Sequence, residues 1–315
     1  MSNYLVTGGA GFIGSQLAEE LLRRGHRVRI VDSLITGKRR NLDVVKDAEF
    51  QEGDLSDPAV AVRAVAGMDY VLHQAAIPSV PRSVQDPATS NRANITATVN
   101  VLVAARDAGI RRLVYAGSSS AYGNTPTLPK REDMPTSPLS PYALQKLVGE
   151  QYCQLFTTLY GLETVTTRYF NVFGPRQDPG SPYSGVISLF ATALLEGRQP
   201  VIYGDGEQTR DFTFVANVVD GVLRCCEAPK VSGEMMNLAT GGRISLNDLL
   251  KTMNQIQGTS LKATYQPPRA GDVRDSQADI TKARTLLGYT PTVNLEEGLR
   301  RTLDWCAREA STQGA

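Results

Sequence analysis

Short apolar runs alternate with amphipathic segments through roughly the first 170 residues of the chain. The first run, residues 4–6, enters a glycine-rich turn, and leucines then recur at helical spacing over residues 17–22. The next run, residues 28–31, ends at Asp32. Strands that alternate with helices in this way predict an α/β fold with a doubly wound parallel sheet, covered by helices on both faces. The length of 315 residues leaves room for a second, smaller α/β domain.

The turn after the first strand has the spacing of a dinucleotide-binding fingerprint. Gly8, Gly11 and Gly14 lie where a strand becomes a helix, so backbone N–H groups there can approach a diphosphate. Asp32 lies 18 residues beyond Gly14 and would accept a hydrogen bond from the adenosine ribose. These features predict a Rossmann domain that binds NAD, and the arginines at 39–40 leave NADP as the alternative.

A second cluster of candidate chemistry follows a strand predicted to end at Ser118. The next predicted helix extends to about residue 160, and its first turns carry Tyr142 and Lys146 on one face, because they are four residues apart. A cation within about 4–6 Å favours the phenolate and lowers the tyrosine pKa. The pair therefore predicts a tyrosine that acts as a base beside oxidised NAD. His73, in an earlier strand, is interpreted as a packed and hydrogen-bonded histidine rather than a catalytic one.

Composition gives little support to other classes of protein. The net charge is +1 and the charges are mixed, so neither nucleic acid nor a membrane surface is expected as a partner. There is no signal pattern and no apolar run of membrane-spanning length. The four cysteines fall in predicted helices, and two histidines are too few for an ordinary zinc site. We expect a cytoplasmic protein with reduced, partly buried thiols and no metal.

Taken together, these motifs resemble the extended short-chain dehydrogenase/reductase family and, within it, the nucleotide-sugar 4-epimerases. The resemblance runs from Leu5 to about Trp305, and it rests on the segments 7–14, 168–171 and 269–272 together with Ser118, Tyr142 and Lys146. It implies NAD as the cofactor and a UDP-sugar as the substrate. It also implies a homodimer, formed through the helices near 92–109 and from Tyr142 onwards.

The resemblance further implies a discontinuous architecture. Residues 1–170 would form the NAD-binding domain, and the chain would return to that domain around 211–240. Residues 171–210 and 241–315 would form the domain that binds the UDP-sugar.

The predicted site residues fall into three groups. The predicted catalytic residues are Ser118, Tyr142 and Lys146. The predicted cofactor contacts are Gly8, Gly11, Phe12, Ile13, Gly14, Asp32, Asp54, Leu55, Ala75, Asn94, Tyr142 and Lys146. The predicted substrate contacts are Ser79, Val80, Ser118, Ser119, Tyr142, Asn171, Tyr203, Arg210, Arg269, Asp272 and Ser276. By resemblance, Arg210 and Arg269 would hold the diphosphate, although Arg210 could instead pair with Asp211.

The implied reaction inverts C4 of the sugar through a transient 4-keto sugar. Ser119 and Ser120 stand where 4,6-dehydratases carry an acidic pair, and decarboxylases carry a glutamate at the position of Ser120, so neither reaction is favoured. Ser276 is small and leaves room for an N-acetyl group. We predict interconversion of UDP-GlcNAc and UDP-GalNAc, and also of UDP-Glc and UDP-Gal. The alternatives are a UDP-glucose 4-epimerase restricted to plain hexoses, a UDP-glucuronate 4-epimerase, and a non-catalytic NAD-binding sensor or scaffold.

Overall fold

The computed structural model describes residues 1–178, 185–268 and 273–313. Its strands are β1 (Asn3–Thr7), β2 (Arg27–Asp32), β3 (Glu49–Glu52), β4 (Tyr70–His73), β5 (Arg112–Ser118), β6 (Thr164–Tyr169), β7 (Val172–Phe173), β8 (Val201–Tyr203), β9 (Thr209–Arg210), β10 (Thr213–Phe214), β11 (Met235–Leu238), β12 (Ile244–Ser245) and β13 (Thr264–Gln266). Its helices are α1 (Phe12–Arg23), α2 (Pro58–Val65), α3 (Val80–Gln85), α4 (Pro87–Asn91), α5 (Ala97–Asp107), α6 (Pro141–Tyr160), α7 (Val186–Leu195), α8 (Val215–Glu227), α9 (Leu246–Gln257), α10 (Thr281–Leu287) and α11 (Leu295–Gln313).

Seven parallel strands form the main sheet, in the order β11-β6-β5-β4-β1-β2-β3. Neighbouring residues of β1 face opposite sides, as the pleat requires. Val6 belongs to the hydrophobic core under α1 and α8, whereas Leu5 belongs to a separate core under α2 and α5. The prediction of a doubly wound parallel sheet is therefore confirmed.

Helix α6 is held close against the sheet. A Cβ added at Gly149 would lie 2.2 Å from the hydroxyl oxygen of Tyr115 on β5, so only glycine allows this approach. Next to it, Glu150 accepts two hydrogen bonds, of 2.7 and 2.9 Å, from the nearly buried Arg168 of β6. The helix that carries Tyr142 and Lys146 thus has a defined position over β5 and β6.

The helix expected over residues 91–109 is interrupted. Between α4 and α5, the residues Arg92–Thr96 form a π-helical turn. Within it, the Asn94 carbonyl accepts from the Thr98 hydroxyl at 2.6 Å, and the Asn94 side chain binds the backbone of Ile77. Side-chain pairing with a distant loop has no signature in helical periodicity, so the sequence pattern missed this turn.

Shorter strands and the last helices lie beyond the carboxyl end of β6. β7 pairs with β10, β8 with β13, and β9 with β12. Helices α7, α9 and α11 pack on one another. The chain re-enters the main sheet with β11. The domain boundaries stay a prediction.

All four cysteines are buried and unpaired, which confirms the expectation of reduced thiols. Among the helices of the described ranges, none combines the length and the apolar character that crossing a membrane requires.

Candidate active site

A cavity of about 940 Å³ opens at the carboxyl ends of the parallel strands, where open α/β sheets bind ligands. The turns after β1, β2, β4, β5 and β6 all contribute to its wall. Most of the predicted site residues line it: Gly8, Gly11, Phe12, Ile13, Gly14, Asp32, Asp54, Leu55, Ala75, Ser79, Val80, Ser118, Ser119, Tyr142, Lys146, Asn171, Arg210 and Ser276. Residues far apart in the sequence thus meet in one place.

Two of the predicted contacts that the structure describes, Tyr203 and Asn94, are not part of this lining. Tyr203 lines an adjoining cavity of about 200 Å³, whose wall also includes Arg210. The amide of Asn94 is buried and binds Ile77 and Gln145, so it positions the loop after β4, and its contact with the cofactor stays a prediction. Arg269 and Asp272 lie outside the described residues.

The glycine turn has the shape of a cradle for a diphosphate. Gly8 has a positive φ of 67°, and a Cβ there would lie 2.8 Å from the Cα of Ala75. A Cβ on Gly14 would lie 2.2 Å from the Gly8 carbonyl oxygen. The close approach of Gly8 to the β4 loop is therefore a requirement that the sequence did not reveal. Helix α1 begins at Gly11 without a side-chain cap, so its first N–H groups can bind an anion.

Asp32 is buried at the end of β2 and lines the same cavity. Its carboxylate accepts hydrogen bonds from the backbone N–H groups of Ala10 (3.0 Å) and Leu34 (2.8 Å). Burial raises the pKa of this carboxyl, and the two backbone hydrogen bonds act in the opposite direction. Arg39 and Arg40, which left NADP as an alternative, pair with Glu52 and Glu309. An acid at the end of β2, with both arginines in ion pairs with glutamates, fits NAD.

Tyr142 and Lys146 face the cavity from α6, beside Ser118 at the end of β5. The ammonium of Lys146 donates to the carbonyl of Ala116 at 2.9 Å, and burial lowers the pKa of this lysine to about 8. Burial also raises the pKa of Tyr142 to about 12, while a hydrogen bond with Ser118 opposes this shift. The sequence predicted a lowered tyrosine pKa. The direction is the reverse here, because burial outweighs the hydrogen bond with Ser118.

His73 has the structural role that its strand position predicted. Its ring nitrogens lie 2.7 Å from the Thr7 hydroxyl and 3.0 Å from the Thr98 hydroxyl. Burial, together with the charge of Lys146, lowers its pKa to about 3. A neutral imidazole with both nitrogens engaged is a packing element, and the prediction is confirmed.

Arg210 and Asp211 each make hydrogen bonds with other residues, and not the local pair that the alternative interpretation required. Its guanidinium donates to the carbonyls of Thr209 (2.9 Å) and Arg274 (2.8 Å) at the cavity wall. The Asp211 carboxylate instead accepts from Thr240 and from the backbone N–H groups of residues 241 and 278. These two carbonyls hold the Arg210 guanidinium at the cavity wall, and a guanidinium there suits the bidentate binding of a diphosphate.

Sequence reasoning missed Gln74 and Tyr169, which also line the cavity. The Tyr169 hydroxyl donates to the Gln74 side-chain oxygen at 3.0 Å, and the buried amide nitrogen of Gln74 has no hydrogen-bond partner among the described residues. A buried donor without a partner is costly, so this nitrogen suits an acceptor on a bound ligand. The glycine cradle, Asp32 and this amide together fit NAD. The sequence signal that could have identified Gln74 as a site residue is its position directly after β4.

The comparisons with known proteins agree with this site. The model of the NAD dependent epimerase/dehydratase family matches residues 4–239. The chain is 40% identical, over 306 residues, to the UDP-glucose 4-epimerase of Mycolicibacterium smegmatis, with 96% of this chain and 97% of that protein covered.

Solved structures are similar over nearly the whole chain. One is the UDP-N-acetylglucosamine 4-epimerase of Methanobrevibacter ruminantium in complex with UDP-N-acetylmuramic acid, with a TM-score of 0.93, 37% identity, and 98% of this chain and 99% of that one covered. Another is the UDP-glucose 4-epimerase of Thermus thermophilus in complex with NAD, with a TM-score of 0.89, 36% identity, and 96% and 98% covered.

The chain belongs to the NAD dependent epimerase/dehydratase family. Since its full-length relatives include 4-epimerases and its cavity has the elements that NAD requires, the protein is an isomerase that uses NAD.

We expect Lys146 to shape the pH dependence of stability. Its pKa is about 8 in the folded protein and near the ordinary 10.5 in the unfolded chain. Between these values the unfolded state binds more protons, so the free energy of unfolding increases as the pH rises through this window and decreases as it falls. Lys146→Met removes this contribution. In urea denaturation, the free energy of unfolding of the variant minus that of the parent should be about 2 kcal/mol lower at about pH 9.5 than at about pH 7.

The exposed Lys251 on α9 provides the control. Lys251→Met should change stability equally at both pH values. A parent and a Lys146→Met variant with the same pH dependence would contradict the burial argument.

Proposed function

We propose that the protein is a UDP-sugar 4-epimerase that interconverts UDP-GlcNAc and UDP-GalNAc, and that it also accepts UDP-Glc and UDP-Gal. The observation that carries the N-acetyl preference is the small side chain of Ser276 at the wall of the catalytic cavity. Its backbone N–H donates to the Thr209 carbonyl at 3.0 Å, so the position of this residue is defined by β9. A hydroxymethyl group there leaves space that a bulky aromatic side chain would fill.

The residues around Tyr142 can move one proton at the sugar 4-oxygen. Tyr142 as the phenolate takes the hydroxyl proton, and it returns that proton after the sugar has turned. Ser118 hydrogen-bonds the phenolic oxygen and stabilises its charged form. NAD, when bound, supplies the hydride acceptor and a positive charge beside the phenol. The high pKa of the buried tyrosine means that the base forms only when such charge is present.

The nucleotide would be held at the other side of the cavity. The Arg210 guanidinium would bind the diphosphate, and Tyr203 in the adjoining cavity would pack against the uracil. Asn171 lines the cavity with a φ of 34°, and its side chain donates to the Asp211 carbonyl at 3.1 Å. Firm binding of the nucleotide and looser binding of the sugar would permit the rotation that inversion requires.

We also propose that two copies of the chain associate through α5 and α6. Helix α6 has buried residues on the face that bears Lys146, and exposed apolar residues on the opposite face. These exposed residues are Leu144, Tyr152, Leu155 and Leu159, with exposed fractions between 37% and 64%. The same stripe on two copies can pack across a twofold axis, and burying it removes a contiguous apolar surface from water.

Replacement of Tyr142 by phenylalanine tests the reaction. Tyr142→Phe removes the acid–base group, so the turnover of UDP-GalNAc to UDP-GlcNAc, followed by NMR, should fall by about 10²–10⁴-fold. Tyr265→Phe, at an exposed tyrosine on β13, should retain the parent rate. Equal rates in the parent and Tyr142→Phe would contradict the mechanism and favour the sensor or scaffold interpretation.

Enlarging the side chain at Ser276 tests the substrate. Ser276→Tyr should abolish activity on UDP-GlcNAc and retain activity on UDP-Glc, because the phenol would occupy the space of the acetamido group. Ser276→Ala is the matched control and should retain both activities. Loss of both activities in Ser276→Tyr, or of neither, would show that this residue does not limit the sugar C2 substituent.

Light scattering tests the association. The parent should have twice the chain mass of 34.1 kDa. The double variant Leu155→Glu, Leu159→Glu should have the mass of one chain, because two charges would enter an apolar contact. Val62→Glu, at an exposed valine on α2, should leave the mass of the dimer unchanged. A double variant that keeps the parent mass would place the interface elsewhere.

A further inference from the structure

Two serines at the end of β5 are hydrogen-bonded to each other at the cavity wall. The side-chain oxygens of Ser118 and Ser120 lie 2.8 Å apart. The backbone N–H of Ser120 also donates to the Ser118 oxygen at 3.2 Å. This geometry arises because Ser118 caps the 3₁₀ turn Ser119–Tyr122, in which the backbone folds Ser120 back over its predecessor. Ser120 lines the cavity, but the mechanism above assigns it no role.

Counting donors and acceptors shows what Ser120 can do to Ser118. A hydroxyl group has one donor and two acceptor lone pairs. The Ser120 N–H occupies one lone pair of the Ser118 oxygen. If the Ser120 hydroxyl donates as well, it occupies the second. Ser118 can then only donate, and its single proton is available to the groups that face it in the cavity.

The other direction of the Ser118–Ser120 hydrogen bond is incompatible with a tyrosine base. If Ser118 donated to Ser120, it would have no proton to offer Tyr142, and a buried phenolate would lose the neighbouring donor that stabilises it. A hydrogen bond that Ser118 donates to Tyr142 favours the charged form of the phenol and opposes the effect of burial. A tyrosine base therefore requires a directed chain, from Ser120 to Ser118 to Tyr142.

We propose that Ser120 is a positioning residue that holds the Ser118 hydroxyl as a donor towards the Tyr142 phenolate. The proposal rests on the proposed function, since it assumes proton transfer at Tyr142. Neither serine loses its proton: the only proton that moves passes from the sugar 4-hydroxyl to the phenolate and later returns. A carboxylate at position 120 could only accept, so it would reverse the direction of the Ser118 hydrogen bond.

The test compares Ser120→Thr, which keeps the donor, with Ser120→Val, which has nearly the same shape and lacks it. For the holoenzyme with UDP-Gal and UDP-GalNAc, Ser120→Val should lower kcat by about tenfold with little change in KM, and it should move the acidic limb of the kcat–pH profile to higher pH. Ser120→Thr should restore both. Ultraviolet difference titration, with Tyr142→Phe to identify the signal, should show a higher phenol pKa in Ser120→Val. Ser311→Ala, at an exposed serine on α11, should resemble the parent.

Each outcome separates this proposal from the proposed function. If the parent turns over neither sugar, the proposed function fails, and the phenol titration alone still decides the role of Ser120. If the parent is active and Ser120→Val has the parent pH profile and phenol pKa, Ser120 does not orient Ser118. If Ser120→Val and Ser120→Thr lose activity and thermal stability together, with no shift in the phenol pKa, the serine only shapes the turn. Either of the last two results would overturn the proposal.

Discussion

The catalytic side of the cavity depends on the close packing of α6 against β5 and β6. Gly149 permits the approach, because any side chain there would collide with the Tyr115 hydroxyl. At the next residue of the helix, Glu150 forms a bidentate ion pair with Arg168 of β6. The Arg168 guanidinium also lies 4.4 Å from the centre of the Tyr122 ring. At this distance from the sheet, the lysine on α6 reaches a β5 carbonyl and the tyrosine lies beside the serine that ends β5.

Burial under that helix has an electrostatic consequence. The same exclusion of water lowers the pKa of Lys146 and raises that of Tyr142, so both groups are biased towards their neutral forms. His73 is held neutral for the same reason. In a buried site of this kind, a charge that a ligand brings has a stronger effect than it would have in water. Hydrogen-bond donors such as Ser118 therefore have a larger influence on the phenol than they would in water.

A buried carboxylate organises the substrate side in a comparable way. Asp211 accepts hydrogen bonds from Thr240, Gly241 and Ala278, and it thereby connects the segment after β9 to the segment that contains Ser276. Each of these contacts joins residues that are at least 29 positions apart. The position of Ser276 is thus coupled to the position of Arg210, the neighbour of Asp211 in the sequence. The hydrogen bonds of Asp211 thus help to position both Ser276 and Arg210 at the wall of the same cavity.

The sequence by itself determined the parts whose signals are local. Alternating strands and helices specified the doubly wound sheet, glycine spacing and Asp32 specified the NAD turn, and a four-residue separation placed Tyr142 and Lys146 on one helical face. Tertiary structure decided the rest. Asn94 became a support for a loop, and the pKa of Tyr142 moved up rather than down. Burial and hydrogen-bond partners decide such outcomes, and both come from residues that are distant along the chain and adjacent only after folding.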